Sequence, residues 1–257
     1  MTDLSSTAIV AVTYRKVDYA RIVLSNVYGC MDSGIKLFVV DNDSGPEMLD
    51  LLATLSALGK DRIDVTGCRK NIGKANAVNL LIEEKKLLDR FDHLVLMDQD
   101  IIFTAADLRL LLDCLKDIDT PGMISMDYYS WNSPKPPNGK SISVHGKSGK
   151  SYQFTVSSED PSTRARGFVG GGVFGITSDT VKYCLNGRLY PDTPYIYYTE
   201  DTSLDLALAR QGRVNGYLKG TLAIHLPELD QSYYAWKNTV RQMKEPPVEG
   251  YFESGLK

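Results

Sequence analysis

Residues 93–100 read His-Leu-Val-Leu-Met-Asp-Gln-Asp, an apolar run that ends in two carboxylates separated by a single residue. A short and nearly continuous apolar run of this kind is typical of a strand buried on both faces of a parallel sheet. Similar runs precede it along the chain, at residues 7–13, 36–40 and 63–66, and polar residues follow them. The stretch therefore predicts the fourth strand of a sheet whose strand ends carry the chemistry.

The segments between these strands have the apolar spacing of helices, at residues 17–28, 46–58 and 73–88. Strand and helix alternate four times up to about residue 118. This alternation predicts an α/β fold, with a mixed, mainly parallel sheet and helices on both of its faces.

The alternation stops after Ser125, and residues 128–166 are rich in Ser, Gly, Lys and Pro. A structureless loop of that length is unusual inside a compact domain, so antiparallel strands are expected within it, over 141–144 and 152–156. Later elements are expected as a strand over 168–176, a short helix near Thr180, a helix over 201–210, a strand over 222–224 and an amphipathic stretch over 231–244. Residues 1–257 are expected to form one domain, in which a recognition half follows a nucleotide-type half.

The composition argues against several classes of protein. Of the 257 residues, 43% are hydrophobic and 24% are charged, which argues against wholesale disorder. Lysine and arginine number 29 against 32 acids, so a formal net charge of −3 gives no general attraction to nucleic acid or anionic membrane. Apolar runs stay well short of the roughly 20 residues that span a bilayer. With four scattered cysteines and no secretory signal pattern, these features predict a soluble cytoplasmic protein.

Polar residues that follow each apolar run are the first candidates for a site, because ligands of open α/β sheets bind outside the carboxyl ends of the strands. Asp98, Gln99 and Asp100 follow the fourth run directly. The candidates after the first three runs are Thr13, Tyr14 and Arg15, then Asp41 and Asp43, then Asn71, Gly73 and Lys74. All of them are expected to face one crevice.

Asp98 and Asp100 are the sharpest of these features. Two carboxylates at the mouth of a buried strand can share a divalent cation such as Mg²⁺ or Mn²⁺ through oxygen ligands. The alternative is a turn or helix cap, where Asp is common, but the position after a buried strand favours a metal. His225 follows the predicted strand over 222–224, either as a nitrogen ligand to the same metal or as an ordinary partly buried histidine.

Glu200 and Asp201 open the helix predicted over 201–210. One of the two carboxylates can act as a general base that deprotonates a hydroxyl group, although acids are also favoured in a first turn by the helix dipole. The Gly170-Gly171-Gly172 stretch permits a close backbone approach. It is not a phosphate loop, since the pattern G-x-x-x-x-G-K-[ST] does not occur.

The order of these motifs resembles an inverting family-two glycosyltransferase of the GT-A fold, in the rhamnosyltransferase-like group. The resemblance runs from Ala8 to about Lys244. Its pieces are residues 13–15, 40–44, 71–79, 96–100 and 170–172, residues 198–201 leading to Gly212, and His225. The chain departs from many relatives at Ser203 and Ala207, where those relatives carry an acid and an arginine.

The resemblance implies a nucleotide pocket and a metal site. Asp41 would contact the nucleobase, while Asp98 and Asp100 would hold Mn²⁺ or Mg²⁺ together with the ribose-diphosphate. His225 would be a further metal ligand. The other residues assigned to the nucleotide pocket are Thr13, Tyr14, Arg15, Asp43, Asn71, Gly73, Lys74 and Gln99.

The resemblance also implies a reaction. Asp201 would be the catalytic base, with Glu200 beside it, and Gly171 and Gly172 would form the floor where sugar and acceptor meet. A UDP- or dTDP-sugar would bind the half formed by residues 1–125. A hydroxyl acceptor, such as a glycan or a lipid-linked glycan of polysaccharide biosynthesis, would bind the half formed by residues 126–257.

Other interpretations remain open at this point. A nucleotidyltransferase that makes sugar nucleotides uses the same sheet and metal, although residues 13–17 lack the glycines of its phosphate loop. A non-catalytic module would bind the sugar nucleotide without turnover, and the retained acids of the site argue against it. The net charge gives no support to a nucleic-acid acceptor. The lysines within residues 135–150 nevertheless leave this possibility open. Lys237, Arg241 and Lys244 allow peripheral membrane contact, with a solvated helix face as the alternative.

Overall fold

The computed structural model of the chain describes residues 6–130, 139–156, 170, 172–191, 200–228, 231–240 and 252–253. Within these ranges, eleven strands form one sheet. The strands are β1 (Thr7–Thr13), β2 (Ile35–Asp41), β3 (Ile63–Cys68), β4 (His93–Asp98), β5 (Ile101–Ile102), β6 (Pro121–Ser130), β7 (Lys140–His145), β8 (Ser151–Val156), β9 (Val173–Thr177), β10 (Val214–His225) and β11 (Phe252–Glu253). The helices are α1 (Val17–Cys30), α2 (Pro46–Gly59), α3 (Lys74–Glu84), α4 (Leu87–Arg90), α5 (Ala105–Asp117), α6 (Ser178–Cys184), α7 (Glu200–Ala209) and α8 (Gln231–Val240), with a 3₁₀ turn over Lys60–Arg62.

The sheet has the strand order β11-β3-β2-β1-β4-β9-β6-β10-β8-β7, and β5 pairs with β10 beside this path. β1 pairs in parallel with β2 and β4, β2 pairs in parallel with β3, and β6 pairs in parallel with β10. β9 runs antiparallel between β4 and β6. The fold class predicted from the sequence, a mixed, mainly parallel sheet flanked by helices in a single domain, is confirmed.

Two hydrophobic layers cover the two faces of the sheet. Ile9 and Ala11 of β1 pack into the layer that contains α1, α2 and α5. Ala8 and Val10, which point the other way, pack into the layer that contains α3, α4, α6 and α7. A strand covered on both faces must be apolar at consecutive positions, which explains the unbroken runs that located these strands in the sequence.

The second half of the chain adds the antiparallel part of the sheet. The two strands expected within residues 128–166 are β7 and β8, which form an antiparallel pair from Lys140 opposite Val156 to His145 opposite Ser151. β10 is much longer than the strand predicted over 222–224. Its first part was not predicted, because Gly216, Lys219 and Gly220 are residues typical of a loop. None of the described helices is long and apolar enough to cross a membrane.

Strand register brings the predicted site to one edge of the sheet. Thr13 lies opposite Asp41, and Val12 lies opposite Asp98, so β1, β2 and β4 end side by side. At the end of β10, His225 pairs with Ile101, immediately after the acidic turn of residues 98–100. The candidate residues at the ends of four strands therefore share this edge.

Candidate active site

The side chain of Asp41 is buried in the turn after β2. The Thr13 hydroxyl donates to Asp41 Oδ1 at 2.9 Å, and the backbone N–H of Ser44 donates to Oδ2 at 3.0 Å, while the Ser44 hydroxyl also contacts this carboxylate. Burial raises the pKa of Asp41, although the hydrogen bonds from Ser44 and Thr13 oppose that shift. Asp41 is only 1% exposed, so in this structure its side chain closes the turn. Its predicted contact with a nucleobase stays a prediction.

Asn42 links this turn to the start of α3. Its side-chain oxygen accepts the N–H of Ile72 at 2.9 Å, and its Nδ2 donates to Asn71 Oδ1 at 2.8 Å. The same Asn71 oxygen accepts the N–H of Gly73 at 2.9 Å. Gly73 has a φ of 81°, a left-handed conformation that costs glycine little, and it directly precedes the helix. The network sets the direction in which Lys74, the first residue of α3, leaves the turn.

Lys74 lies at the centre of three predicted site acids, a group called the Lys74 cluster below. Its Nζ is 2.8 Å from Asp98 Oδ1, 3.6 Å from Glu200 Oε1 and 3.7 Å from Asp201 Oδ1. Asp98 comes from the end of β4, whereas Glu200 and Asp201 come from the first turn of α7. The structure thus brings together the acid predicted to bind metal and the acids predicted to be catalytic, which lie about 100 residues apart in the sequence.

The pKa values of Lys74 and Glu200 are both raised, for different reasons. Burial lowers the pKa of Lys74, but Asp201, Asp98, Tyr190 and Glu200 outweigh it and hold that pKa well above its usual range. Burial raises the pKa of Glu200 to about 7, with Lys74 opposing and Asp201 reinforcing the shift. Lys74 therefore stays protonated, and Glu200 exchanges its proton near neutral pH.

Glu200→Gln should stabilise the protein at pH 8 by about 1–3 kcal/mol, and leave its stability unchanged near pH 4. The folded pKa of Glu200 lies above the ordinary value of 4.5, so the folded state binds the proton more tightly than the unfolded chain. Wild-type stability from this group is complete below that ordinary pKa and is lost as the pH rises through about 7. Urea unfolding of both proteins at pH 4, 6 and 8 without added metal measures the difference. A difference that does not grow with pH would contradict the assignment.

Asp100, two residues after Asp98, belongs to a second cluster. Its Oδ2 is 3.4 Å from Lys16 Nζ, and its Oδ1 is 3.5 Å from His225 Nε2. Lys16 also forms an ion pair with Glu228, which follows β10. Burial raises the pKa of Asp100, with Asp98 acting in the same direction and His225 and Lys16 opposing it. Lys16 thereby joins the turn after β1 to the acidic turn and to the segment after β10.

The predicted metal ligands lie in two different clusters. Asp100 and His225 approach one another; the Asp100 carboxylate offers the oxygen donor that Mn²⁺ and Mg²⁺ prefer, and the His225 imidazole lies beside it, so the pair can supply part of a divalent-cation site. Asp98 faces Lys74 instead. In the described part of the chain, no group of three or more His, Cys, Asp or Glu side chains is placed to hold a metal ion. A shared site of Asp98, Asp100 and His225 therefore stays a prediction.

Gln99 supports the turn after β1. Its Oε1 accepts the N–H of Tyr14 at 2.9 Å, and its Nε2 donates to the Tyr14 carbonyl at 2.7 Å. The Tyr14 ring packs against Trp236 of α8 with ring centroids 4.7 Å apart, and the Arg15 guanidinium lies 5.6 Å from the Trp236 ring. Tyr14, Arg15 and Trp236 thus form an aromatic and cationic shelf at this edge, while Gln99 bonds the backbone beneath it.

The remaining predicted residues occupy less defined places. Gly172 accepts a hydrogen bond from the N–H of Asp98 at 2.8 Å, which fixes the glycine segment against the end of β4. A Cβ at Gly172 would lie 3.2 Å from Ile101 Cδ1, so the segment approaches β5 closely. Gly171 lies outside the described residues. Asp43 is exposed and has a φ of 71°.

Sequence reasoning missed three side chains that the structure places in these clusters. Lys16 lies beside Arg15 in the first polar turn, and the basic run there was a usable signal. Glu228 lies three residues after His225, without a pattern around it. Tyr190 is wholly buried, and its hydroxyl donates to Asp201 Oδ1 at 3.3 Å. An isolated tyrosine eleven residues before the acid it contacts carries no sequence signal.

Comparison with known proteins gives a fold class through structure alone. Searches found no matching family model and no matching curated protein. The fold, in contrast, is shared with solved glycosyltransferases of the GT-A-like type.

One such structure is a mannosyltransferase from Pyrobaculum calidifontis in complex with GDP-Man and Mn²⁺, with a TM-score of 0.62 and 14% identity over 94% of this chain and 66% of that one. GalNAc-T7 with UDP, GalNAc and Mn²⁺ gives a TM-score of 0.66 and 14% identity over 90% of this chain and 45% of that one. Residues 1–349 of TarS from S. aureus with UDP-GlcNAc give a TM-score of 0.61 and 12% identity over 88% of this chain and 60% of that one. The chain therefore spans about half to two thirds of the length of these proteins.

Proposed function

We propose that this chain is a glycosyltransferase that moves a sugar from a nucleoside-diphosphate sugar to a hydroxyl group of an acceptor, with inversion at the anomeric carbon. The observation that carries the proposal is the Lys74 cluster, in which Asp98, Glu200 and Asp201 meet beside the ends of parallel strands. A structural turn or a helix cap requires no such convergence of acids from β4 and α7 on one half-buried lysine. The shared fold with solved glycosyltransferases supports the same proposal.

Asp201 is the general base of the proposed reaction. It accepts the proton of the acceptor hydroxyl as that oxygen forms its bond to the anomeric carbon, while the bond from this carbon to the diphosphate breaks on the opposite face. The ammonium group of Lys74, 3.7 Å from Asp201 Oδ1, stabilises the ionised carboxylate that this step needs. Glu200, beside it on α7, contributes to the negative potential that holds Lys74 in place.

The diphosphate side of the site is assigned to Asp98, Asp100 and His225. Asp100 and His225 would hold the divalent cation, and Asp98 would join them. When bound, Mn²⁺ or Mg²⁺ neutralises the charge of the nucleoside diphosphate as it leaves. The solved neighbours contain Mn²⁺ with GDP-Man or with UDP and GalNAc, which supports a divalent metal as cofactor.

The nucleoside side is assigned to the first turns of the chain. Tyr14 and Arg15 on the shelf, and the turns closed by Asp41 and Asn71, would hold the base and the ribose of a UDP- or dTDP-sugar. The second half of the chain, residues 126–257, would bind the acceptor, with Gly171 and Gly172 at the floor. The cytoplasmic location and the acceptor, a glycan or a lipid-linked glycan, stay predictions.

The proposal is tested by turnover of a panel of sugar nucleotides. The purified chain is incubated with UDP-, dTDP- and GDP-sugars, with Mn²⁺ and a set of glycan acceptors, and the released nucleoside diphosphate is measured. Release from one donor that increases with an acceptor supports glycosyl transfer. Formation of a sugar nucleotide from a sugar phosphate and a nucleoside triphosphate would instead support a nucleotidyltransferase and contradict the proposal.

A further inference from the structure

Tyr190 is held in place by α3, the helix that also supplies Lys74. The Asn79 side chain donates from Nδ2 to the Tyr190 carbonyl at 2.8 Å and accepts the Tyr190 N–H on Oδ1 at 3.1 Å. Asn79 is 4% exposed, and Tyr190 is wholly buried. Because one amide side chain bonds both backbone polar groups of Tyr190, it fixes this residue relative to α3.

The hydroxyl of Tyr190 reaches the proposed base. It donates to Asp201 Oδ1 at 3.3 Å, the same oxygen that lies 3.7 Å from Lys74 Nζ. Burial raises the pKa of Tyr190 well above its usual range; Lys74 opposes this shift, whereas Asp201 reinforces it. The hydroxyl therefore keeps its proton and remains a hydrogen-bond donor at physiological pH.

Two residues of α3 thus act on the same oxygen, Asp201 Oδ1. Lys74, at the start of α3, contacts Asp201 directly, and Asn79, five residues later, acts through Tyr190. The helix itself is anchored in the core by buried residues on both sides of Asn79, including Val78 and Leu81. A shift of the Asp201 carboxylate would break bonds to a helix that has little freedom to follow it.

We infer that Tyr190 is a positioning residue for Asp201. The Tyr190 hydroxyl, held in place through Asn79, keeps the Asp201 carboxylate oriented to take the proton of the acceptor hydroxyl. This inference rests on the proposed function and adds a residue to its site. Tyr190 does not exchange a proton with the substrate; it acts only through Asp201. Tyr190 should therefore affect the rate of the chemical step and not the affinity for the nucleotide.

Tyr190→Phe removes the hydroxyl and keeps the ring that fills the core. It should lower kcat by about 10- to 100-fold, the size expected when a reacting group is poorly positioned. The KM for the donor and the Kd for the nucleoside diphosphate should stay at their wild-type values. Tyr183→Phe is the matched control, because Tyr183 of α6 is 76% exposed, and it should behave as wild type.

Asn79→Ser provides a second variant, which keeps the tyrosine hydroxyl but removes both amide bonds to its backbone. It should lower kcat in the same pattern and by a smaller factor. An unchanged kcat in Tyr190→Phe, or a fall that comes with equally weakened nucleotide binding, would overturn the inference. Asp201→Asn is measured in parallel: if that variant turns over like the wild type, the assignment of the base fails, irrespective of Tyr190.

Discussion

Asp201→Asn should lower sugar transfer by about 100- to 10,000-fold, the range that a positioned general base contributes. Asparagine has nearly the same shape but cannot accept the acceptor proton. Its side-chain oxygen can still accept the hydrogen bond from Tyr190, and Lys74 retains Asp98 at 2.8 Å and Glu200 at 3.6 Å. The fold and the affinity for the nucleoside diphosphate should therefore stay near wild type. Initial rates of nucleoside diphosphate release, together with calorimetric binding, measure the two effects separately.

Asp179→Asn is the matched control for this substitution. Asp179 also lies in the first turn of a helix, α6, but it is exposed and outside both clusters. The control should retain full transfer. Wild-type transfer by Asp201→Asn would show that the base lies elsewhere, with Glu200 as the next residue to test.

Asp100→Ala should abolish the increase in nucleotide affinity that Mn²⁺ produces, with a loss of about 100-fold or more at saturating metal. Asp100 is the acid that approaches His225, at 3.5 Å, so its removal takes away one of the three proposed ligands of the cation. The fold should survive, because Lys16 keeps its ion pair with Glu228. Titration calorimetry with UDP, with and without Mn²⁺, measures the change.

Asp89→Ala is the control for the loss of one carboxylate, since the Asp89 side chain on α4 is 72% exposed and pairs only with Lys182 among the ion pairs described. It should bind nucleotide with the wild-type dependence on Mn²⁺. If Asp100→Ala binds UDP as tightly as the wild type and remains as sensitive to Mn²⁺, the metal assignment is wrong.

Much of the fold follows from local pattern. Consecutive apolar residues located β1, β2 and β4, because a strand covered on both faces has no polar alternation. The alternation of residues 141–144 and 152–156 located the antiparallel pair, which the structure extends to 140–145 and 151–156. β6 was not predicted, although Pro121–Ser130 form it.

The convergence of the candidate residues was predicted in outline, because the ends of parallel strands meet at one edge whatever their loops contain. Side-chain direction was not predictable in the same way. Asp98 and Asp100 are two residues apart, yet one faces Lys74 and the other faces Lys16 and His225. That division depends on where α3 and the turn after β1 place their lysines. The position of Tyr190 depends in turn on Asn79, which lies 111 residues earlier.

The central claim is that the edge formed by these strand ends binds a nucleoside diphosphate together with a divalent cation. Titration calorimetry of the purified wild-type chain against UDP, dTDP and GDP, each with and without Mn²⁺, tests it most directly. One of the three, UDP or dTDP in our expectation, should bind with an affinity that Mn²⁺ increases. Binding of none of them by the folded protein would contradict the account.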